Sequence, residues 1–367
     1  MFTYLTLTNW YKEHGRDLPW RYKPDDYTVW LSEIILQQTR VKQGLNYIIK
    51  FKENYPTVHD LAHAPLDEVL KLWQGLGYYT RARNLHTTAK VISEHYNGIF
   101  PDTFDELRKL KGIGDYTAAA IASIVYKLPV AVVDGNVHRV LSRIFGIFTP
   151  IDTSTGKKEF AKLAQEVMDK ENPGTYNQAI MDFGALVCTP KKAQCDSCPF
   201  NNSCYAYLNN CVYELPVKSK KIKVRPRYFN YLVIRYKNFT FIHQRSAKDI
   251  WNSLYEFPLI EKEEEIKPED IVKTLEWLAI FGNEEVTVQK ISNIIKHQLS
   301  HQTIWCRFYN IVINKPTAKL LADYQKIAIK DFEKFSIPRL IDAYMVSPDN
   351  EKFFKHSSSS NENNSYF

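Results

Sequence analysis

Leu110–Arg143 reads LKGIGDYTAAAIASIVYKLPVAVVDGNVHRVLSR, and the fold is decided here. A charged run ending at Leu110 leads into Gly112-Ile113-Gly114, and an Ala/Ile-rich run from Thr117 to Tyr126 follows. Two glycines separated by one apolar residue allow a tight hairpin whose backbone N–H groups face outward. Such a nest can hold a phosphate. The alanine-rich run is apolar on nearly every side and therefore predicts a buried helix. Pro129 ends that region. Asp134-Gly135-Asn136 then opens a further helix, with Val137, Val140, Leu141 and Ile144 on one face. Taken alone, an Asp or Asn in that position is a helix N-cap.

Outside this stretch the composition sets bounds. The chain has 367 residues, 44% of them hydrophobic, enough for two or three domains with real cores. A formal charge of +7 and a pI near 8.8 permit a polyanionic partner without requiring one. Lys127 and Pro129 interrupt the most apolar run, so no membrane span is expected. The opening MFTYLTLTNWYKEHGRD has no basic leader before an apolar core, which points to a cytoplasmic protein.

Cysteine carries the strongest local pattern. Cys188, Cys195, Cys198 and Cys204 follow C-x6-C-x2-C-x5-C, and four thiolates so close can enclose either zinc or an iron–sulfur cluster. Cys211 and Cys306 stand outside it as ordinary thiols.

Near the N-terminus, residues 4–14 predict a helix and Pro19 a rigid turn flanked by Arg16 and Arg21. The next helix, from Thr28 to about Gln38, places Glu33 among Val29, Trp30, Ile34 and Leu36. A carboxylate among apolar neighbours has its charged form disfavoured, which suits a general acid. The same residue is also readable as a partly exposed Glu at a helix edge. Helices are expected at 66–73 and 79–97, joined through GLGYYTRARN, where Tyr78, Arg81 and Arg83 combine a base-stacking ring with phosphate-binding charge. Further helices follow at 157–169 and 175–186.

Helix, glycine hairpin, helix and a following Asp resemble the helix-hairpin-helix superfamily of DNA glycosylases. Strings LPWR and VWLSEIILQQTRV narrow the resemblance to the A/G-specific adenine glycosylases (MutY type). The resemblance implies that Glu33 protonates adenine, that Asp134 works at the sugar, and that Asn136 helps to place water. It makes Gly112 and Gly114 the phosphate grip, and Arg16, Leu18, Trp20, Arg21 and Gln178 the pocket for the extruded base. Some relatives carry Glu at the position of Gln178. Gln38 and Tyr78 would enter the duplex beside the lesion pair. Strand-cutting members carry a Schiff-base lysine where this chain has Tyr116, so the chemistry is expected to stop at base removal. Tyr116 would hydrogen-bond the carboxylate or the sugar region. The same resemblance turns the cysteine pattern into a [4Fe–4S] loop over 188–204.

Beyond the loop, residues 216–227 hold six Lys/Arg, two Pro and no acid, and read as a basic linker. From Tyr228 the pattern changes to strands, with a hairpin turning at Asn238, later strands within 291–313 and a helix over Pro268–Phe281. This part resembles the MutT-like domain of the same family, without the Nudix metal-binding box. The family's lesion-reading Phe-Ser-His loop corresponds to Leu299-Ser300-His301. The tail from 351 is low in complexity and is expected to be disordered.

The expected fold is therefore a mainly α region over 1–215, a helix-hairpin-helix glycosylase with an iron–sulfur loop, then an α+β Nudix-like domain over 228–350. The expected substrate is double-stranded DNA containing A:8-oxoguanine or A:G mispairs, handled by a monomer in the nucleoid. Three rivals remain at this point: a strand-cutting glycosylase, a DNA-binding module without chemistry, and a MutT-like nucleotide hydrolase.

Overall fold

The computed structural model describes residues 2–219, 224–247, 249–282 and 284–354. In chain order the first helices are α1 (Tyr4–His14), α2 (Asp26–Leu36), α3 (Val41–Asn54), α4 (Val58–His63), α5 (Leu66–Leu72) and α6 (Thr80–His95). They are followed by α7 (Phe104–Lys109), α8 (Asp115–Ile124), α9 (Gly135–Phe145), α10 (Ser154–Val167), α11 (Pro173–Leu186) and α12 (Tyr205–Leu208). None of the described helices is long and apolar enough to cross a membrane.

Two compact units divide the chain. One comprises Met1–Ala64 with Arg81–Lys221, the other Pro65–Thr80 with Ile222–Phe367. In the first, α8 is buried from Thr117 to Ile124, as an all-apolar helix must be. Helix α11 packs against α1, α8 and α9. Small residues allow the closest approaches. A Cβ at Gly174 would come within 2.8 Å of the Ser123 carbonyl oxygen, and one at Gly184 within 2.7 Å of the Asn136 Cβ.

The second unit is built on a sheet of β1 (Arg225–Tyr236), β2 (Phe239–Gln244), β3 (Tyr255–Glu256), β4 (Leu259–Lys262), β5 (Val286–Ile291), β6 (Ile295–Gln298), β7 (Gln302–Ile313) and β8 (Gln325–Ala328). Its backbone path runs β3-β2-β1-β7-β5, with β1 and β7 parallel. Alternate residues of β1 serve two cores. Phe229, Tyr231 and Val233 enter one, and Leu232 and Ile234 the other. A strand buried on both faces reads as an apolar run, and the Tyr231–Ile234 part of β1 does. Helices α13 (Leu275–Phe281), α14 (Ala318–Asp323), α15 (Arg339–Met345) and α16 (Pro348–Phe354) complete the unit.

Several boundaries differ from the sequence expectation. Strand β1 begins at Arg225, inside the expected linker, because its pairing with β7 already starts at Arg225↔Gln302. The helix expected over Pro268–Phe281 divides into a 3-10 turn, Pro268–Lys273, and α13, which starts afresh because Thr274 caps Trp277 N–H. The expected disordered tail overlaps α16, whose Phe353 and Phe354 pack on the first core. Residues 355–367 lie outside the described residues. Pro65–Thr80, assigned by sequence to the helical region, clusters with the second unit. Lys71 Nζ donates to the Phe335 carbonyl (3.1 Å), and Asp67 accepts from Gln244 and Tyr255 (both 3.2 Å).

Candidate active site

Glu33 is placed by α2. Asp25 caps the helix, accepting from Thr28 N–H at 2.8 Å, while Val29, Trp30, Ile34 and Ile35 anchor it in the core. At its other end Arg81 donates to the carbonyls of Ile34 (3.0 Å), Ile35 (2.9 Å) and Gln37. Arg81 thus closes a helix C-terminus, a role that GLGYYTRARN alone does not signal. Glu33 is left facing a cavity of about 410 Å³, where Tyr116 Oη donates to its Oε2 at 2.6 Å. Burial pushes the Glu33 pKa above the ordinary carboxylate value. The Tyr116 hydrogen bond and the Arg21 and Arg16 charges oppose that rise, and Asp134 adds to it. Burial likewise keeps Tyr116 protonated, its pKa well above the usual phenol value.

Asp134 faces the same cavity from the start of α9. It is an N-cap, as the bare sequence suggests, its Oδ1 accepting from Asn136 N–H (2.9 Å) and Val137 N–H (2.8 Å). Its Oδ2 accepts from Asn136 Nδ2 at 2.8 Å, and Asn136 Oδ1 accepts from Arg139 Nη2 at 2.8 Å. One end of the Asn136 amide therefore holds Asp134, and the other is held by Arg139. Arg139 in turn donates to the carbonyls of Gly184 and Cys188, both at 2.6 Å.

Arg16, Leu18, Trp20, Arg21 and Gln178 line the cavity too, so the residues that the resemblance assigns to a base pocket lie together. Two residues behind it were missed. Asp182, fully buried, accepts from Arg16 Nε (2.8 Å) and from Arg21 Nη1 (2.8 Å) and Nη2 (2.9 Å). These cations hold its pKa below the ordinary value despite burial. Tyr11 Oη donates to Gln178 Oε1 at 2.8 Å and accepts from Arg21 Nη1 at 3.2 Å. A signal for Asp182 was present: it interrupts the apolar run Ala179-Ile180-Met181-Asp182-Phe183, where an acid needs cationic partners.

The glycine hairpin links α7 to α8. Gly112 has φ +83°, and a Cβ there would come within 2.8 Å of the Asn84 Cβ. Gly114 caps α8 without any side-chain acceptor, and space beside it is open. The first-turn N–H groups of a helix lack intrahelical partners and suit an anion. Gln38 follows α2 with φ +58° and is exposed. In the second unit, Ser300 and His301 form the exposed tip of the β6–β7 turn, closed by Leu299 N–H donating to the Gln302 carbonyl (2.8 Å). Leu299 itself packs against the core. Tyr78, half exposed with φ +49°, hydrogen-bonds Ser300 through its hydroxyl.

Cys188, Cys195, Cys198 and Cys204 border a single pocket. Among the described residues no three Cys, His, Asp or Glu side chains are already positioned as a metal-binding group. The donor set itself fits a thiolate-bound metal group. Arg143 Nη1 donates to Cys188 Sγ and Phe200 N–H to Cys198 Sγ, each at 3.4 Å, and such contacts stabilise anionic sulfur. Cys211 and Cys306 are buried in separate apolar clusters.

Comparison with known proteins agrees with this geometry. Residues 31–168 match the HhH-GPD superfamily of base excision DNA repair proteins, and residues 230–346 match the NUDIX domain. The adenine DNA glycosylase of Buchnera aphidicola subsp. Baizongia pistaciae is 38% identical over 314 residues, which is 85% of this chain and 86% of the relative. The human adenine DNA glycosylase is 43% identical over 210 residues, 55% of this chain and 38% of the human one. A thermostable thymine-DNA glycosylase superposes with a TM-score of 0.53 at 28% identity, over 56% of this chain and 95% of that one. With a paired-carboxylate pocket beside a helix-hairpin-helix and a relative matched over most of both chains, the chain belongs to the adenine DNA glycosylases, enzymes of base-excision DNA repair.

Proposed function

We propose that the enzyme removes adenine mispaired with 8-oxoguanine, and more slowly with guanine, by hydrolysis alone. What carries the proposal is the contact of Tyr116 with Glu33 in a pocket that also contains Asp134. The target base must leave the stack to be reached. Glu33, whose burial favours the protonated form, donates its proton to N7 of the extruded adenine and makes the base a neutral leaving group. The glycosidic electron pair departs with the base, leaving cationic character at C1′. Asp134, fixed by Asn136, faces that charge as the second carboxylate of a glycoside hydrolase would. Water then adds its hydroxyl to C1′, and its proton restores Glu33. Tyr116 is a phenol and forms no imine, so the backbone is not cut.

Cys188, Cys195, Cys198 and Cys204 would hold a [4Fe–4S] cluster, which supplies metal–thiolate bonds that close the loop. Gly112 and Gly114 would grip a DNA phosphate. Tyr78, Ser300 and His301 would read the oxidised guanine, and Gln38 would enter the duplex. Borohydride trapping beside an excision assay tests the hydrolytic reading. Base release without a trapped covalent complex supports it, and a trapped complex sinks it.

A further inference from the structure

The wall of the pocket opposite in chemistry to Glu33 is Gln178, and an amide can present either its carbonyl or its NH2 to a ligand. The oxygen and nitrogen of an amide are nearly equal in size, but a hydrogen-bond chain tells them apart. Here the chain starts at buried Asp182, which accepts from both terminal nitrogens of Arg21. A guanidinium only donates, so the Arg21 Nη1 contact at 3.2 Å makes Tyr11 Oη an acceptor. The single phenolic proton is then directed at Gln178, 2.8 Å away, whose nearer atom must be the carbonyl Oε1. Burial keeps that proton on Tyr11. Were the amide reversed, its NH2 would be a second donor to Tyr11 Oη beside Arg21, and the phenolic proton would lose its acceptor.

We infer that Asp182, Arg21 and Tyr11 fix the Gln178 amide so that its NH2 is offered to the cavity, and that the extruded base is read there through a ring-nitrogen lone pair. This rests on the reading of the cavity as an adenine pocket. With N7 taking the proton from Glu33, the nitrogen read by Gln178 is N1 or N3 and not the 6-amino group. Tyr11 is in this account a positioning residue: it acts on the base only through Gln178.

The test is single-turnover excision by the full chain from lesion duplexes carrying adenine, 1-deazaadenine, 3-deazaadenine or purine, compared between wild type and Tyr11→Phe. Each deaza analogue lacks one ring acceptor and keeps N7 and the amino group, whereas purine lacks only the amino group. Dividing the wild-type rate by the Tyr11→Phe rate for each base cancels the intrinsic lability of its glycosidic bond. Discrimination against one deaza analogue should be about tenfold or more stronger in the wild type than in Tyr11→Phe, the loss of one hydrogen bond to a buried donor. The purine-to-adenine ratio should be the same in both proteins. Gln178→Ala should abolish the deaza discrimination and make Tyr11→Phe silent in its background, and it carries the test should Tyr11→Phe fail to fold. A Tyr11-dependent purine ratio would mean that the carbonyl faces the base, and would overturn the proposal. Deaza discrimination unchanged by either substitution overturns it too. A wild type that releases no adenine from any duplex instead refutes the adenine-pocket reading.

Discussion

Glu33→Gln separates binding from chemistry. The amide keeps the size and the acceptor for Tyr116 but has no proton to give, so excision should fall by about 10²–10⁴-fold with duplex binding retained. Rates within a few-fold of wild type would mean that another acid serves. The same substitution reports on stability. Because burial raises the folded-state pKa of Glu33, the folded protein binds a proton that the unfolded chain has released above the ordinary carboxylate value. Stability from this group is therefore complete below the unfolded pKa and lost as pH rises through the folded one. Glu33→Gln should accordingly raise the melting temperature more at pH 8 than at pH 5. The opposite order would show that the carboxylate is stabilised in place. Tyr116→Phe removes a contact that favours the charged form, so the alkaline limb of its excision rate should move to higher pH. Single residues were unequally legible in sequence. Glu33 and Asp134 stand in recognisable strings, but Asp134 as N-cap and as pocket carboxylate cannot be separated without seeing the cavity. Tyr11 and Asp182 escaped because their roles exist only through partners 167 and 161 residues away.

Elements were read well where local pattern dictates them and less well where a distant contact does. The buried α8 and the hairpin before it follow directly from their alanines and glycines. Gly112 must be glycine for two reasons, a positive φ and the closeness of Asn84. Gly112→Ala should cost about 1–2 kcal/mol in stability and weaken duplex binding. Unchanged binding would show that phosphate is held elsewhere. Arg81 looked like a DNA ligand because basic residues beside aromatic ones commonly are. Its engagement by three carbonyls at the end of α2 could not be read from GLGYYTRARN. The start of β1 at Arg225 was hidden likewise, since Arg and Pro signal a linker and the pairing strand lies about 75 residues later in sequence. For the cysteine loop, Cys204→Ser should lose bound iron and the visible absorption of the cluster, whereas Cys211→Ser, which packs near Cys204 but does not line the four-thiol pocket, should keep both. Stoichiometric zinc in protein purified anaerobically would contradict the cluster assignment.

On the scale of the whole molecule, adenine is a normal base, and a pocket that reads only adenine would attack intact A:T pairs. On the proposed reading discrimination comes from what lies opposite, and the exposed Ser300-His301 tip of the sheet unit would offer a hydroxyl and an imidazole to the N7–H and O8 of 8-oxoguanine. Ser300→Ala with His301→Ala should narrow the preference for 8-oxoguanine over guanine, since one lost contact of this kind costs about 1–3 kcal/mol. Equal weakening on both substrates would make this unit a general DNA clamp. The division into a helical part and a sheet part was legible from the change of periodicity at Tyr228. The membership of Pro65–Thr80 in the sheet unit was not, because it depends on Lys71 and Asp67 meeting residues far along the chain. The most direct test of the account is single-turnover base release from A:8-oxoguanine, A:G, A:T and C:8-oxoguanine duplexes in parallel. The account predicts fast loss of adenine from the first, slower loss from the second and none from the other two. Release of adenine from A:T at a comparable rate, or of 8-oxoguanine opposite cytosine, would contradict it.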